Sequence, residues 1–223
     1  MTSAGERWVE RYLLPQLDRR LPGHRRSPLA ILQIDPDDET EAMRLRREGH
    51  RCDVVLSDAS RLAAERWQDP PVVRDPAATL GSPGAYDFVL TGYFGRMSQG
   101  SARRLAVARE IARVLRSGGG FLTAIGNRLS PIDFTHNAAR VHGPSVPSLV
   151  TLQEMEEVFI DGAGFSAVDP LPLTGHFGMS TVAGPRRMLT TLLELHWRWL
   201  AVPERRWAYA GPLNPVLMLW IQK

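Results

Sequence analysis

Short apolar runs alternate with longer amphipathic segments along this chain, and that alternation limits the folds it can adopt. The run 29–34 is too short for a helix and lies between turn-forming residues, so it predicts a buried strand. The amphipathic stretch 39–48 follows it and ends at Gly49, which favours a helix with a glycine stop. Strands separated by helical segments are typical of βαβ units, which build a parallel sheet.

The same alternation continues to the end of the sequence. Further strands are predicted at 53–57, 72–74, 86–91, 121–125, 166–173 and 215–222, and further helices at 60–67, 102–116, 152–160 and 186–200. An amphipathic leading helix is expected over 6–21. Pro15 lies inside that pattern and is expected to break or kink the helix.

The segment 126–148 is the exception to the alternation. It shows no clear period and contains Asp133, His136, Asn137 and His142. A loop of this length inside a compact domain is usually functional or disordered. Because it follows a predicted parallel strand, it leaves the carboxyl edge of the sheet, where ligands bind in such folds. We therefore expect a substrate-side insertion here.

Composition narrows the class of protein. The single cysteine, Cys52, excludes an intrachain disulfide, so we expect an inert thiol in a cytoplasmic protein. Charges interrupt the apolar positions of the first residues, which argues against a signal peptide, and no apolar run is long enough to span a membrane. The basic residues, all arginine except Lys223, are scattered along the chain. They indicate a GC-rich coding bias, with an anionic partner as the alternative, and no nucleic-acid partner is expected.

Three segments of the chain resemble segments of a known protein family. The first runs from Tyr86-Asp87-Phe88-Val89-Leu90 through a helix to Ser117-Gly118-Gly119-Gly120, the second is 54–60 and the third is 31–34. Together they resemble the class I S-adenosylmethionine-dependent methyltransferases, although Ser117 stands where proline is common. The resemblance implies an α/β fold, a Rossmann-like three-layer sandwich around a mostly parallel sheet of about seven strands. That domain would occupy 28–223, after an N-terminal helical extension at 1–27.

The resemblance also implies which residues hold the cofactor, S-adenosylmethionine. Asp58 matches the acid that accepts from the ribose hydroxyls, or alternatively it caps the next helix. Asp75 matches an acid that accepts from the adenine amino group, or it closes a local turn. Gln33, Asp35 and Thr91, at the ends of the first and fourth strands, complete the cofactor-binding set.

The first loop departs from the family pattern. Where the family has a glycine-rich sequence that lets the backbone approach the cofactor, this chain has Asp35-Pro36-Asp37-Asp38-Glu39. Acids suit a helix N-terminus and would attract the cofactor's ammonium and sulfonium groups, but they would repel its carboxylate. This degenerate loop therefore either still holds the cofactor or only caps the helix that follows.

Methyl transfer needs an acceptor atom held in line with the methyl group, and sometimes a base. His136 is the candidate base because histidine titrates near neutral pH, and the alternative is a surface histidine with local hydrogen bonds. The candidate substrate-binding residues are Tyr93, Asn127, Arg128, His142 and His176. The acids and histidines lack the spacing of metal ligands, so no metal is expected.

These observations predict an S-adenosylmethionine-dependent methyltransferase that acts on a small molecule such as a glycan or a secondary metabolite. The alternative is a catalytically inactive protein with the methyltransferase fold, serving as a structural or regulatory partner subunit. Assembly into a homo- or hetero-oligomer is compatible with both hypotheses. Binding of the cofactor distinguishes them.

Overall fold

The alternation of strands and helices is present in the structure, a computed structural model that describes residues 4–21, 27–36, 39–57, 67, 71–130, 132–133, 140–141, 149–172 and 216–223. The strands in these ranges are β1 Ala30–Ile34, β2 Arg51–Leu56, β3 Val72–Val73, β4 Tyr86–Tyr93, β5 Leu115–Asn127, β6 Ile132–Asp133, β7 Arg140–Val141, β8 Leu149–Val150, β9 Ala167–Leu171 and β10 Val216–Gln222. The α-helices are α1 Ala4–Trp8, α2 Leu14–Arg20, α3 Thr40–Arg47, α4 Ser101–Val114 and α5 Leu152–Glu156. Two π-helical turns, Val9–Leu13 and Glu157–Gly162, and a 3₁₀ turn, Phe94–Arg96, join them.

Eight of these strands form one sheet. Seven follow the order β3-β2-β1-β4-β5-β10-β9, and β8 pairs with the end of β5. Strands β1 to β5 and β8 pair in parallel, while β10 runs antiparallel between β5 and β9. The mostly parallel sheet predicted from the sequence is thus confirmed. The strand order reverses between β1 and β4, and the carboxyl ends of strands at such a reversal border the ligand crevice.

Side chains of successive strand residues point to opposite faces of the sheet, and each face carries an apolar core. Leu32, Val89 and Phe121 belong to the core that includes residues of α4 and α5. Ile31 and Phe88 belong to the other core, with residues from α1 to α3. Helices therefore cover both faces, which confirms the three-layer arrangement.

The fifth strand begins earlier than predicted. The helix expected at 102–116 ends at Val114, and β5 starts at Leu115 rather than at 121. Gly118 has a φ of 76°, and the pairing with β4 changes register between Leu115 and Gly120. A glycine in the left-handed region allows such a bulge without steric strain. The three glycines that precede the predicted strand 121–125 thus belong to the bulged first half of β5.

The leading helix continues through Pro15, which excludes a break there, while the predicted alternative of a kink stays a prediction. The π-helical turn Val9–Leu13 precedes α2, and Pro15 lies in the first turn of α2. The amide of Leu14 donates to the carbonyl of Val9, five residues back. This wider turn accommodates a residue whose ring would collide with the carbonyl four residues earlier in an α-helix. Trp8, Val9 and Leu17 are buried in the core that contains Ile31, and the separation of an extension at 1–27 stays a prediction.

Parts of the predicted pattern lie outside the described residues, among them the helix 186–200 and most of the helix 60–67. The loop 126–148 is described only in part. There, β6 and β7 pair antiparallel, with Ile132 opposite Val141, so the segment contains a short ribbon that the sequence pattern does not reveal. In the described part of the chain, no helix has the length and apolar character that a membrane span requires.

Candidate functional site

The end of β1 is tied to the end of β2 by a buried carboxylate. Asp35 follows β1 directly and is only 1% exposed. Its Oδ1 accepts from the amide of Ser57 at 2.6 Å, and its Oδ2 accepts from the hydroxyl of Ser57, also at 2.6 Å. Its own amide donates to the carbonyl of Val55 at 3.0 Å. These bonds fix the first loop at the carboxyl edge of the sheet.

Asp35 also has an unusual backbone conformation. Its φ is 49°, and no other non-glycine residue in the described ranges has a positive φ. Among residues with a side chain, aspartate and asparagine tolerate the left-handed region best, because a short polar side chain bonds locally. The position therefore keeps the backbone turn that a glycine would adopt, and the bonds from Ser57 help to hold it there.

Gln33 lies in β1, two residues before Asp35, and adds hydrogen-bonding groups to this edge of the sheet. It is buried in β1, and its Nε2 donates to Oε2 of Glu41 on α3 at 2.5 Å. Its Oε1 is buried and has no hydrogen-bond partner among the described residues. Buried polar atoms normally have partners, so an unpaired acceptor here is compatible with a ligand that donates a hydrogen bond.

The ends of β4 and β5 bring polar side chains to the other side of the crevice. The hydroxyls of Thr91 and Thr123 lie 2.5 Å apart in the buried part of the sheet. The Tyr93 hydroxyl accepts from the amide of Gly126 at 3.3 Å. Asn127 is buried, and its Oδ1 accepts from the amide of Leu129 at 3.0 Å. The ends of β4 and β5, which carry the candidate residues Thr91, Tyr93 and Asn127, are thus neighbours, although the bonded residues lie 32 and 33 positions apart in sequence.

Asp75 closes a local turn, which is one of the two roles that the sequence predicts for this residue. Its Oδ1 accepts from the amide of Ala77 at 3.0 Å and from Nη2 of Arg103 at 2.7 Å. The hydrogen bond from Ala77 and the contact with Arg103 hold the pKa of this carboxyl below its usual range, with partial burial opposing them. The ion pair links the loop after β3 to the start of α4, and the role with adenine stays a prediction.

Arg128 follows β5 and holds the start of α5. Its Nη1 donates to Oε1 of Glu154 at 2.6 Å, and its Nη2 donates to the carbonyl of Leu149 at 2.8 Å. The other oxygen of Glu154 accepts from the amide of Thr151, whose hydroxyl accepts from the Glu154 amide in return. This capping box begins α5 and positions the carboxylate for Arg128.

The remaining predicted site residues, Asp58, His136, His142 and His176, lie outside the residues whose side chains the structure describes. Conversely, the sequence prediction misses Ser57, Arg104 and Glu154. Arg104 had a usable signal, because it occupies a buried position in the helical period of α4. Groups of histidines, cysteines and acids suited to a metal ion are absent from the described ranges.

Cys52 lies in β2 and is 3% exposed. Burial raises the pKa of its thiol to about 12, and the positive charge of Arg46 opposes this only in part. The thiol therefore stays protonated at pH 8, where an ordinary cysteine is partly ionised, and only the thiolate is a good nucleophile. We expect an aromatic disulfide reagent to react with the native protein at least about a hundredfold more slowly than with the urea-unfolded protein. Equal rates would contradict a buried thiol.

The chain has no match among protein-family models or, by sequence, among curated proteins. It is similar in structure to an S-adenosylmethionine dependent methyltransferase from Mesorhizobium loti, with a TM-score of 0.52 and 14% identity over 94% of this chain and 96% of that one. The [4+2]-cyclase SpnF gives a TM-score of 0.53 and 15% identity over 95% of this chain and 80% of that one. A possible exported protein from Bordetella parapertussis gives 0.51 and 14% over 94% of this chain, which spans 65% of its length.

These similarities define the fold. The chain has the Rossmann-like fold of the class I methyltransferases, with β10 inserted antiparallel between β5 and β9. One of the three similar structures is described as a cyclase, so the fold alone leaves the reaction open. The function has to be argued from the residues at the carboxyl edge of the sheet.

Proposed function

We propose that this protein is an S-adenosylmethionine-dependent methyltransferase that acts on a small molecule such as a glycan or a secondary metabolite. The observation that supports the proposal most directly is the positive φ of Asp35 at the end of β1. Asp35 there adopts the left-handed conformation that favours glycine, in the loop where the family has a glycine-rich sequence. That turn lies beside the point where the strand order reverses in a class I methyltransferase fold. A cytoplasmic location is part of the same proposal, and assembly into a homo- or hetero-oligomer is compatible with it.

The described residues fit the donor groups of the cofactor. S-adenosylmethionine presents an ammonium, two ribose hydroxyls and an adenine amino group, all of which donate hydrogen bonds. Each Asp35 oxygen accepts one bond from Ser57, and a carboxylate oxygen has room for a second. Gln33 offers its unpaired Oε1. The acidic first loop is less suited to the cofactor's carboxylate, so we expect modest affinity.

The remaining roles follow the family resemblance. Asp58 would accept from the ribose hydroxyls and Asp75 from the adenine amino group, while Thr91 would line the crevice at the end of β4. When bound, the cofactor supplies a methyl group on a sulfonium. The chain's own part is to hold the acceptor in line with it, through Tyr93 and Asn127, and to remove a proton through His136. The other proposed substrate-binding residues are Arg128, His142 and His176.

Calorimetry with S-adenosylmethionine and S-adenosylhomocysteine tests this proposal. We expect both to bind, and Asp58→Ala to weaken binding about tenfold or more because it removes a two-oxygen acceptor. His136→Ala is the matched control, since a base that acts on the acceptor has no direct bond to the cofactor. Thermal unfolding of each variant shows that the fold is intact.

Two results would contradict the assignment. A larger loss of binding in His136→Ala than in Asp58→Ala would reverse the proposed roles. If neither ligand binds at millimolar concentration, the methyltransferase proposal fails. The hypothesis of an inactive partner subunit would then account better for a loop whose acid is already bonded to Ser57.

A further inference from the structure

A cavity of about 320 Å³ lies at the amino edge of the sheet, opposite the edge that carries the candidate site. Strands β1, β4 and β5 pair in parallel, so their starts share this edge. Among the lining residues, Leu29 directly precedes β1, Asp87 lies near the start of β4 and Gly118 lies in the first half of β5. Cavities that hold small molecules have volumes of about 300 to 1,000 Å³, so this one has room for a small ligand.

The bulged first half of β5 forms one wall of the cavity. The carbonyls of Gly118 and Gly119 accept from Nε2 of Gln222 at 2.8 Å and 3.0 Å. Nε1 of Trp220 donates to Oε1 of Gln222 at 3.0 Å, which holds that side chain in place. Apart from its chain neighbours, no heavy atom lies within 4 Å of the position that a Cβ on Gly118 would take. The wall is therefore fixed, it borders open space, and these two carbonyl acceptors already have partners.

Arg116 brings hydrogen-bond donors to the same wall. Its Nη1 donates to Oδ1 of Asp87 at 2.7 Å, and its Nε donates to the carbonyl of Gly84 at 3.1 Å. The other oxygen of Asp87 accepts from the amide of Ala30 at 2.8 Å. Nη2 of Arg116 has no hydrogen bond to a described residue, and the side chain is 54% exposed. Both oxygens of Asp87 are thus engaged, whereas Arg116 keeps a terminal nitrogen for a ligand.

Arg20, at the end of α2, is the second arginine that lines the cavity. Its Nη1 donates to Oδ2 of Asp169 at 2.7 Å, and its guanidinium lies over the ring of Trp220. These two contacts orient the guanidinium plane. Its Nε is buried and has no hydrogen-bond partner in the described part of the chain. Because buried polar groups normally have partners, an unpaired donor here favours a ligand that accepts a hydrogen bond.

The cavity therefore has more free donors than free acceptors among its described residues. Arg20 and Arg116 keep N–H groups to spare, while the oxygens of Asp87 are already bonded. A guanidinium presents its donors as a planar fork that matches the two oxygens of a carboxylate. Leu21 and Leu29 add apolar surface to the lining, which an apolar group on the ligand would cover. This combination fits an organic acid better than an inorganic anion.

We propose that this cavity is a second ligand site, which binds a small organic carboxylate with an apolar body. Arg20 and Arg116 bind the carboxylate, and Leu21 and Leu29 contact the apolar part. The crevice of the proposed function lies at the other ends of the same strands, so this inference does not depend on that function. A ligand at this site stabilises the folded chain by mass action, because the unfolded chain has no such cavity.

Isothermal calorimetry on the full chain tests the site, with benzoate as the probe and with acetate and benzyl alcohol for comparison. We expect benzoate to bind with a dissociation constant of about 1 mM or lower. Acetate lacks the apolar body and benzyl alcohol lacks the carboxylate, so each should bind at least about tenfold more weakly. The absence of benzoate binding overturns the proposal. Binding of either comparison compound as tightly as benzoate overturns the proposed class of ligand.

Replacing Arg116 places the probe in this cavity. Arg116→Gln should weaken benzoate binding about tenfold or more, and Arg116→Lys, which keeps the charge without the fork, should have an intermediate effect. Arg109→Gln is the matched control, because Arg109 is an exposed arginine that donates to the carbonyl of Gly162 and does not line the cavity. Equal weakening by Arg109→Gln overturns the assignment. Should Arg116→Gln not fold, the comparison of Arg116→Lys with Arg109→Gln decides.

A competition experiment separates this site from the crevice of the proposed function. Benzoate should bind equally well with and without S-adenosylhomocysteine, because the two sites lie at opposite edges of the sheet. Displacement of one ligand by the other would place benzoate in the crevice and overturn the second site. If S-adenosylhomocysteine does not bind at all, the proposed function fails, while benzoate binding that depends on Arg116 still supports the second site.

Discussion

Replacing Gly120 by alanine is expected to lower the free energy of unfolding by about 3 kcal/mol, because the added methyl group has no space. A Cβ at this position would overlap Cζ2 of Trp220 and lie 2.9 Å from Cη2. Trp220 has little freedom to move. It is 1% exposed, and its ring stacks on that of Phe88 with 5.4 Å between the ring centroids. The guanidinium of Arg20 lies over the Trp220 ring, 5.3 Å from its centroid.

Urea unfolding followed by circular dichroism measures the effect. Gly118→Ala is the control, because Gly118 has open space around it and only its φ of 76° disfavours alanine. It should lose about 1 kcal/mol. The double variant Gly120→Ala with Trp220→Leu should be less destabilised than the sum of its parts by at least about 1 kcal/mol. Strict additivity would show that the tryptophan is not the cause.

Asp35→Ala is expected to lower the free energy of unfolding by a similar amount, about 3 kcal/mol. It removes two hydrogen bonds to a buried carboxylate and leaves the amide of Ser57 buried without that acceptor. It also leaves a residue with a Cβ in the left-handed region, without the bonds that hold Asp35 there. The same unfolding experiment measures the loss.

Asp35→Gly separates these two contributions. Glycine loses the bonds to Ser57 as alanine does, but it adopts the left-handed conformation without strain. It should therefore be about 1 kcal/mol more stable than the alanine variant. An alanine variant as stable as the glycine variant would show that the turn imposes no conformational demand. Asp35→Asn, which keeps an acceptor and tolerates the turn, should be the mildest of the three.

Most of the sheet could be predicted from the sequence because strand and helix periodicities are local properties. β1, β2, β4 and β10 lie within two residues of their predicted positions, with β4 extending two residues further. The errors occur where non-local contacts decide. The glycines before 121 extend β5 because β4 and β10 are available to pair with them, and no local pattern records those partners.

The candidate site was only partly predictable. Gln33, Asp35 and Thr91 were predicted because the family resemblance places cofactor-binding residues at the ends of the first and fourth strands. In the structure, Gln33 and Thr91 lie in the paired part of β1 and β4, and Asp35 directly follows β1. The hydrogen bonds that Ser57 donates to Asp35 join residues 22 positions apart, so nothing in the local sequence pattern pairs them. Arg104 looked like one of many scattered arginines until its helix placed it facing the core.

The sequence by itself determined the order of the longer strands and helices that the structure describes, and the α/β class of the fold. It does so because the spacing of apolar residues selects the element. Apolar residues at every second position form one buried face of a strand, and those at every third to fourth position form one buried face of a helix. Only the tertiary structure decided how the glycine-less first loop is held and which charges meet. Parallel pairing brings the carboxyl ends of distant strands together at one edge. There Asp35 accepts from Ser57 in a buried setting that strengthens the hydrogen bond, and Arg128 meets Glu154.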